Sequence, residues 1–350
     1  MSTHLVTGGS GFIGSEIVKE LINQNENIKI LDLIEPDEKI LKSPNVEFFK
    51  GSILDDELLK NIFKDVNYVH HTAALVPLKK AGKDFWNVNV LGTEKLIKKS
   101  IENNVSHFSH ISSSAVFGNV EKRDCPISKD PENLKPIEIY GRSKMEAENR
   151  IKLMIKNEKN STTFSILRPR TVIGTERLGI FEVLYEWIND NKNIFIIGNG
   201  DNIFQFVHVK DIVNVSILSC YKKKNNIYNV GTDKYGTLKE CLNNLIKYAN
   251  SQSKVKPLPI KTSIFLLKIL DILQLSPLGP WHYLTYHKDF FYDLDHTKKE
   301  LDWKPIFSND QMLKESYNWY LTNKNELSNT KSSHKSKIKQ GILKVIKLFA

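Results

Sequence analysis

Two side chains suited to proton transfer, Tyr140 and Lys144, lie four residues apart at the start of a helical pattern that continues from Met145 to Ile155. Residues spaced i and i+4 share one face of a helix, so the phenol and the ammonium would be neighbours. A phenol ordinarily titrates near pH ~10, but an adjacent positive charge such as a lysine ammonium favours the phenolate and lowers its pKa. Such a pair could exchange a proton with a secondary alcohol while hydride passes to or from a cofactor.

A run of three hydroxyls, Ser112-Ser113-Ser114, follows the predicted strand His107 to Ile111. A hydroxyl at the end of this strand could hold the same substrate oxygen as the tyrosine. Taken alone, the pattern Y-x-x-x-K is typical of a solvated helix face. The chemistry therefore depends on what else the chain brings to this place.

The first fourteen residues supply that context. Residues 5–6 predict a buried strand, Gly8-Gly9-Ser10-Gly11 a turn, and Phe12-Ile13-Gly14 the start of a helix. This order indicates dinucleotide binding, because glycines let the backbone approach a pyrophosphate whose charge rests on the helix N-terminus. The glycines are spaced G-x-x-G-x-x-G, and an isolated cluster of this kind would be an ordinary turn.

An acid ends the next predicted strand, Ile28-Lys29-Ile30-Leu31-Asp32, 18 residues after Gly14. A carboxylate at this place can accept hydrogen bonds from the adenosine ribose and would repel a 2′-phosphate. NAD is therefore the predicted cofactor, and NADP is less favoured.

Predicted strands and helices alternate through the first half of the chain. Strand candidates include 46–49, 66–71 and 107–111, and a helix is expected from about Asp84 to Asn103 with Trp86, Val90, Leu96 and Ile97 as its apolar face. Such alternation predicts an α/β fold with a Rossmann-type, doubly wound parallel sheet. Ligands bind at the carboxyl ends of the strands, so the glycine loop, Asp32, Ala73-Ala74 and the serine run should face one crevice.

The rhythm changes near Thr175, which suggests a second domain. We expect an NAD-binding domain over residues 1–174, to which residues 204–232 return, and a smaller substrate domain mainly over residues 175–322. No polar linker separates the two halves, so they should share an interface and interleave. Residues 323–350 would form a basic linker and an amphipathic tail.

The composition, 40 % hydrophobic and 26 % charged, is typical of a soluble globular protein. The sequence has no run of about 18 or more apolar residues, so no membrane-spanning helix is expected. The first predicted strand begins so near the N-terminus that we expect no signal peptide. Cys125, Cys220 and Cys241 are widely spaced, so neither a metal site nor a disulfide is expected. A reducing cytoplasm is the predicted location.

A net charge of +10 raises the question of a nucleic-acid partner. Seven lysines and one acid, Glu326, lie from Lys324 onward, so the tail holds +6 of this charge (seven less one). The rest of the chain is only mildly basic and has no arginine-rich patch with interleaved aromatic residues. Nucleic-acid binding is therefore not expected.

A set of motifs occurs in order along the chain and at characteristic spacings. They are Thr7–Gly14, Asp32, His71–Ala74, Asn87–Thr93, Ser112–Gly118, Tyr140–Lys144, Leu167–Pro169 and Phe206–Asp211. Over about residues 3–320 the chain resembles the extended short-chain dehydrogenase/reductase superfamily, specifically its NAD-dependent epimerase/dehydratase family, which is related to the 3β-hydroxysteroid dehydrogenase group. The resemblance implies a Rossmann domain with an interleaved C-terminal substrate-binding domain, a small-molecule substrate and a homodimer.

The resemblance also implies roles for individual residues. Tyr140 would be the acid/base, Lys144 would hold the nicotinamide ribose, and Ser113 would be the assisting hydroxyl, with Ser114 as its nearest competitor and Ser112 as a structural residue. The cofactor-binding residues would be Gly8, Gly11, Phe12, Ile13, Gly14, Asp32, Asp55, Ala73, Ala74, Asn89, Tyr140, Lys144 and Pro169.

Several of these positions have a structural alternative. Asp55, which matches an adenine-contacting residue, could instead cap a helix over 56–63. Asn89 could equally be a hydrogen-bonding residue of its helix. We expect His70, His71 and His208 to be structural, because the tyrosine already supplies an acid/base.

Departures from the family pattern bear on the substrate. Dehydratases of the group carry Asp-Glu directly after the catalytic Ser/Thr, whereas this chain has Ser114-Ala115, so a 4,6-dehydration is not expected. Many nucleotide-sugar members place a diphosphate-binding arginine where this chain has Phe204 or Gln205. Arg170 and Arg177 could replace that charge, since guanidinium pairs bidentately with phosphate, or they could be surface residues.

Two apolar segments in the second half favour a lipidic substrate or a membrane. The first is an apolar run from Ile264 to Leu275, which is either a buried helix of the substrate domain or an apolar entrance. The second is the tail, where Ile338, Ile342, Val345, Ile346 and Phe349 would share one helical face among lysines. A basic amphipathic helix is the signature of peripheral membrane contact, but the tail could equally pack on the body or on a second subunit.

The leading hypothesis is an NAD-dependent enzyme that acts on a secondary alcohol or ketone, most specifically a sugar or nucleotide-sugar epimerase or keto-sugar reductase. A 3β-hydroxysteroid-type or other lipid alcohol dehydrogenase is the main alternative, since the same residues would serve it. A non-catalytic NAD-binding sensor or scaffold is the alternative from another class. The intact Tyr140/Lys144 pair argues against the sensor.

Overall fold

The computed structural model describes residues 1–76, 82–129, 134–156, 161–176, 178–325, 340–348 and 350. The strands are β1 Thr3–Thr7, β2 Asn27–Asp32, β3 Val46–Lys50, β4 Tyr68–His71, β5 His107–Ile111, β6 Thr163–Pro169, β7 Thr171–Ile173, β8 Ile194–Ile197, β9 Ile203–Phe204, β10 Phe206–His208, β11 Asn226–Val230, β12 Gly236–Thr237 and β13 Val255–Leu258. The α-helices are α1 Phe12–Asn23, α2 Glu38–Leu41, α3 Asp56–Ile62, α4 Asp84–Trp86, α5 Thr93–Glu102, α6 Ile139–Ile155, α7 Phe181–Asn189, α8 Val209–Lys222, α9 Leu238–Tyr248, α10 Ile260–Ile272, α11 Pro280–Thr285, α12 Asp295–Leu301, α13 Asn309–Asn323 and α14 Leu343–Lys347.

Within these ranges, seven parallel strands form the central sheet in the order β11-β6-β5-β4-β1-β2-β3. The strand order reverses between β1 and β4, which creates the crevice where such sheets bind ligands. The predicted doubly wound parallel sheet is confirmed. Strand β11 joins the sheet at its edge, although it follows strands β7 to β10 of the second half.

Each face of the sheet is covered by helices because its strands are apolar on both sides. In β1, successive side chains point to opposite faces, so Leu5 packs with Leu96 and Phe108 on one side and Val6 packs with Ile17 on the other. Helices α1 and α8 cover the second face, and α3, α5 and α6 cover the first. A separate core lies among α7, α9 and α13.

A buried ion pair fixes α6 against the sheet. The Arg168 guanidinium on β6 donates through Nε and Nη2 to the Glu148 carboxylate on α6, at 2.9 and 2.5 Å. Ser112, at the end of β5, donates to the same carboxylate at 2.6 Å. All three side chains are buried, so the pair is strong only while every partner is present.

The predicted helix from Asp84 to Asn103 is present but is not regular. Residues Asn87–Gly92 form a π-helical turn, whose extra residue shifts the helical phase before it. As a result Phe85 is buried, whereas Trp86, which we placed on the apolar face, is 42 % exposed.

Helix α10 is not the buried helix that one interpretation of the apolar run required. Ser263 is its one buried residue. Its apolar side chains point in all directions, so packing on one side cannot cover them; Phe265 and Ile272 are 64 % and 70 % exposed. No helix in the described ranges is long and apolar enough to cross a membrane.

The described part of the C-terminal tail packs on the body. Leu343 is buried, the Ile342 N–H donates to the Leu275 carbonyl at 2.9 Å, and Lys347 bonds Glu186 and Asp190. The face that meets the body contains Leu343 and Ile346, whereas Val345, which we placed on the apolar face, is 49 % exposed. Ile338 and Phe349 lie outside the described residues.

Replacing Glu148 with alanine tests the buried pair. The change leaves a buried guanidinium without its carboxylate, so the free energy of unfolding should fall by about 3–5 kcal/mol in urea titrations. The matched control is Glu146→Ala on the same helix, where a partly exposed bridge to Arg150 (3.0 Å) contributes less than about 1 kcal/mol. Equal losses in the two variants would contradict the assignment.

Candidate active site

The glycine loop connects β1 to the N-terminus of α1. Gly8 has a φ of +74°, and the Gly11 N–H donates to its carbonyl at 3.0 Å, which closes the turn. Gly11 caps α1 without a side-chain hydrogen bond, and the first turn holds no acid. The N-terminus of α1, with the positive end of its helix dipole, therefore adjoins the glycine turn, where an anionic pyrophosphate can bind.

Close backbone approaches explain why this loop uses glycines. A Cβ on Gly14 would lie 2.1 Å from the Gly8 carbonyl oxygen, and a Cβ on Gly8 would lie 2.7 Å from the Ala73 amide nitrogen. The Thr72 hydroxyl ties the loop after β4 to this turn by donating to the Thr7 carbonyl at 2.8 Å. The loop and Ala73 thus form one narrow cradle, which fits a dinucleotide pyrophosphate.

Asp32 ends β2 beside this cradle. Its carboxylate accepts the Ser10 N–H at 3.0 Å and the Ile34 N–H at 3.1 Å. Burial raises the pKa of Asp32, and these backbone hydrogen bonds oppose the rise. The acid predicted to contact the adenosine ribose therefore lies against the glycine loop, at the carboxyl end of its strand.

Asp55 caps α3, with Oδ1 accepting the N–H groups of Glu57 and Leu58, both at 3.1 Å. This is the structural alternative raised from the sequence, and the adenine contact stays a prediction. Pro169 ends β6 at the same sheet edge, and its contact with the cofactor also stays a prediction.

The structure places Tyr140 and Lys144 one turn apart at the start of α6. A Cβ on Gly141 would lie 2.5 Å from the Ala115 carbonyl oxygen, so this turn packs directly on the backbone after Ser114. The Tyr140 turn and the serine run, separate in sequence, are therefore neighbours at the carboxyl end of β5.

The three serines of the run have different environments. Ser112 is buried and donates to Glu148, which fits the predicted structural role. Ser113 is half-buried, and its hydroxyl accepts the Ala115 N–H at 3.1 Å. Ser114 is buried. Of the three residues, Ser113 is the most exposed, and its catalytic role stays a prediction.

Lys144 is buried within the protein. Burial lowers the pKa of its ammonium to about 7, although the Glu148 carboxylate opposes the shift. Its positive charge in turn helps to lower the pKa values of His71 and His110 at the ends of β4 and β5. Lys144 therefore lies within electrostatic reach of the ends of β4 and β5.

Asn89 links the cradle to α6. Its side-chain amide accepts the Leu75 N–H at 2.8 Å and donates to the Leu75 carbonyl at 3.1 Å and to the Ser143 hydroxyl at 3.0 Å. The Ser143 hydroxyl donates in turn to the Tyr140 carbonyl at 2.8 Å. This chain of hydrogen bonds positions Tyr140. The role of Ser143 could not be predicted from the sequence, because a serine in a helix does not by itself indicate a function.

The histidines make structural contacts. His71 bonds the hydroxyls of Thr7 and Thr93 at 2.8 and 2.9 Å, and His70 bonds Ser216 at 2.8 Å. Burial holds the pKa values of both histidines well below the usual range. His208 caps α8 by accepting the Lys210 N–H at 3.3 Å.

Arg170 lies just beyond β6 in an aromatic enclosure. Its guanidinium carbon is 3.9 Å from the centre of the Phe290 ring and 5.3 Å from that of Phe204. The side chain is 2 % exposed, and Nε and Nη1 meet no acceptor within the described residues. Burial lowers the pKa of Arg170 to about 10, so it stays cationic at neutral pH.

The two positions where the family pattern suggested an arginine hold Phe204 and Gln205. Gln205 is buried, and its side-chain amide donates to the Thr232 carbonyl at 2.7 Å and accepts the Tyr292 N–H at 2.9 Å. The neighbouring Phe204 ring contacts Arg170. Arg177 lies outside the described residues. Phe290 and Tyr292, which lie far along the chain from Arg170, complete its enclosure only in the folded protein.

An apolar cavity of about 390 Å³ lies beyond Phe204. Aliphatic and aromatic side chains from α7, β8, α9 and α10 line it, and Leu343 and Ile346 of the C-terminal segment close one side. The Phe204 ring lines this cavity and also lies 5.3 Å from the Arg170 guanidinium carbon.

This fold and site define an NAD-binding enzyme of the extended short-chain dehydrogenase/reductase type. The family profile of the NAD dependent epimerase/dehydratase family matches residues 4–231. The chain belongs to this family and uses NAD. The resemblance seen in the sequence is confirmed.

Three relatives show the range within the family. The chain is 35 % identical over 347 residues to the uncharacterized protein y4nG of Sinorhizobium fredii, and the alignment covers 99 % of this chain and 86 % of that protein. It is 32 % identical over 254 residues to a putative UDP-glucose 4-epimerase of Methanocaldococcus jannaschii (70 % and 81 % covered). It is 31 % identical over 216 residues to the decarboxylating sterol-4-alpha-carboxylate 3-dehydrogenase of Homo sapiens (61 % and 56 % covered).

Solved structures share the fold. The UDP-glucuronic acid 4-epimerase of Bacillus cereus in complex with NAD superposes with a TM-score of 0.73 at 20 % identity, covering 91 % of this chain and 99 % of that one.

Gly14→Ala tests the cradle. The added methyl would meet the Gly8 carbonyl and displace the loop, so NADH affinity measured by fluorescence titration should fall about a hundredfold or more, roughly 2.7 kcal/mol. Ser15→Ala in the same helix is the control and should bind as the unaltered protein does. Unchanged affinity in Gly14→Ala would refute this cofactor site.

Lys144→Met tests the buried ammonium. Because the pKa falls from 10.5 in the unfolded chain to about 7 in the folded protein, the unfolded chain binds more protons between these values, and stability rises with pH across that window. Methionine removes this term. The variant should therefore melt above the parent at pH 7 by a margin that shrinks toward pH 10, while turnover falls about a hundredfold. A pH-independent difference in melting temperature would contradict the buried charge.

Proposed function

We propose that the enzyme interconverts a secondary alcohol and its ketone on a sugar, as an epimerase of nucleotide sugars. The observation that carries the proposal is the packing of the Tyr140 turn on the serine run, beside the glycine cradle. The putative UDP-glucose 4-epimerase of Methanocaldococcus jannaschii, 32 % identical, supports the nucleotide-sugar class.

The chain's own residues would divide the chemistry as follows. Tyr140 takes the proton from the substrate hydroxyl and returns it, and the neighbouring Lys144 ammonium favours the phenolate that this requires. Ser113 donates a hydrogen bond to the same substrate oxygen. Bound NAD would supply the hydride acceptor and donor for the carbinol carbon.

The cofactor would be held by the cradle. The backbone at the start of α1 would bind the pyrophosphate through Gly8, Gly11, Phe12, Ile13 and Gly14. Ala73 and Ala74 would line the opposite side of the pyrophosphate site. Asp32 would accept the ribose hydroxyls, which favours NAD over NADP.

Arg170 supports an anionic substrate. A buried guanidinium with two nitrogen atoms that meet no acceptor in the described chain is costly unless an anion pairs with it. A diphosphate offers several oxygens that accept charge-assisted hydrogen bonds from guanidinium N–H groups. We assign Arg170 to the substrate diphosphate, in place of an arginine at Phe204 or Gln205.

A second candidate is a lipid alcohol dehydrogenase. The apolar cavity beyond Phe204 favours it, and one relative is a sterol-4-alpha-carboxylate 3-dehydrogenase. An apolar cavity with few polar groups suits a hydrocarbon skeleton better than a nucleobase. The two candidates use the same Tyr140, Lys144 and Ser113.

Tyr140→Phe tests the mechanism on both candidate substrates. UDP-hexoses are followed by NMR for inversion at one carbon, and sterols and long-chain alcohols by NADH absorbance. Losing the proton-transfer group should lower kcat by about 10²–10⁴-fold and leave NADH affinity nearly unchanged. Tyr235→Phe, a partly exposed tyrosine, is the control.

Inversion of a UDP-hexose without net NADH release would support the epimerase. Release of NADH with a lipid alcohol would support the dehydrogenase. If Tyr140→Phe kept the full turnover of either reaction, the proposal would fail.

A further inference from the structure

The outward face of α10 alternates lysines with large apolar residues. Lys261, Phe265, Lys268 and Ile272 are spaced by four, three and four residues, which places them in one stripe along the helix. All four side chains are exposed, Phe265 by 64 % and Ile272 by 70 %. The opposite face, which includes Leu267, lines the apolar cavity.

The apolar surface continues beyond the helix onto the C-terminal segment. Leu273 and Leu275 are 59 % and 49 % exposed. The Ile342 N–H bonds the Leu275 carbonyl at 2.9 Å, so the segment that carries Leu348, 76 % exposed, lies beside the end of α10. We call this surface, Phe265, Ile272, Leu273, Leu275 and Leu348, the apolar patch.

Positive charge surrounds the apolar patch. Lys261 and Lys268 flank Phe265, and Lys344 is exposed on α14. The one acid of α10, Asp271, accepts the Tyr283 hydroxyl at 3.3 Å.

We propose that the apolar patch docks on the surface of an anionic lipid bilayer. Lysines between apolar anchors suit this partner, because their stems lie along the acyl boundary while the ammonium groups reach the phosphates. A second copy of the chain fits less well, since a two-fold contact would set the same lysines against each other. Docking would also bring the cavity behind α10 next to the bilayer.

Vesicle flotation of the full chain tests this proposal. The protein should bind phosphatidylcholine vesicles that contain about 30 % phosphatidylglycerol, bind pure phosphatidylcholine much less, and detach as salt rises from about 0.1 M to about 1 M. Phe265→Ser with Ile272→Ser should lower the partition coefficient about tenfold or more. Lys261→Glu with Lys268→Glu should abolish the preference for anionic vesicles.

The matched control is Leu153→Ser with Ile306→Ser, two residues 56 % and 55 % exposed outside the apolar patch, which should bind vesicles as the parent does. NADH affinity in all variants verifies folding. No binding to anionic vesicles, or equal binding by the Phe265/Ile272 variant, would overturn the proposal. So would a dimer in light scattering that dissociates only in that variant, because a second copy would then cover the patch.

Discussion

The pairing of Glu148 with Arg168 is the contact on which the site depends most. It joins α6 to β6 and, through Ser112, to the end of β5. Helix α6 carries both Tyr140 and Lys144, so this pair sets where the phenol and the ammonium stand relative to the sheet edge. Because the pair is buried, loss of either partner or a shift of α6 along β6 would leave an unpaired charge in the interior. The pair therefore fixes the position of the catalytic groups on α6.

A second constraint is steric. The cradle closes only because Gly8 and Gly14 lack side chains, which lets the loops after β1 and β4 touch. Lys144 then contributes positive charge from a buried position. Burial lowers its pKa to about 7, a cost in stability that the site accepts for function.

The sequence was sufficient for the sheet and for the residues at the ends of its strands. Buried parallel strands are apolar on both faces, and glycine loops follow strict steric rules. The roles of Thr7–Gly14 and Asp32 could therefore be predicted from the sequence immediately around them. The π-helical turn at Asn87–Gly92 and the exposure of α10 could not be predicted, because periodicity does not report an inserted residue or what covers a face. The enclosure of Arg170 by Phe204 and Phe290 joins segments far apart in the chain, and only the fold brings them together.

The most direct test of the account is native mass spectrometry of the purified full chain, followed by release and identification of any bound nucleotide. An epimerase regenerates its cofactor within each turnover, so we expect one NAD retained per chain. A chain without nucleotide that binds added NAD reversibly would favour the dehydrogenase. A chain that binds neither NAD nor NADP would contradict the central claim.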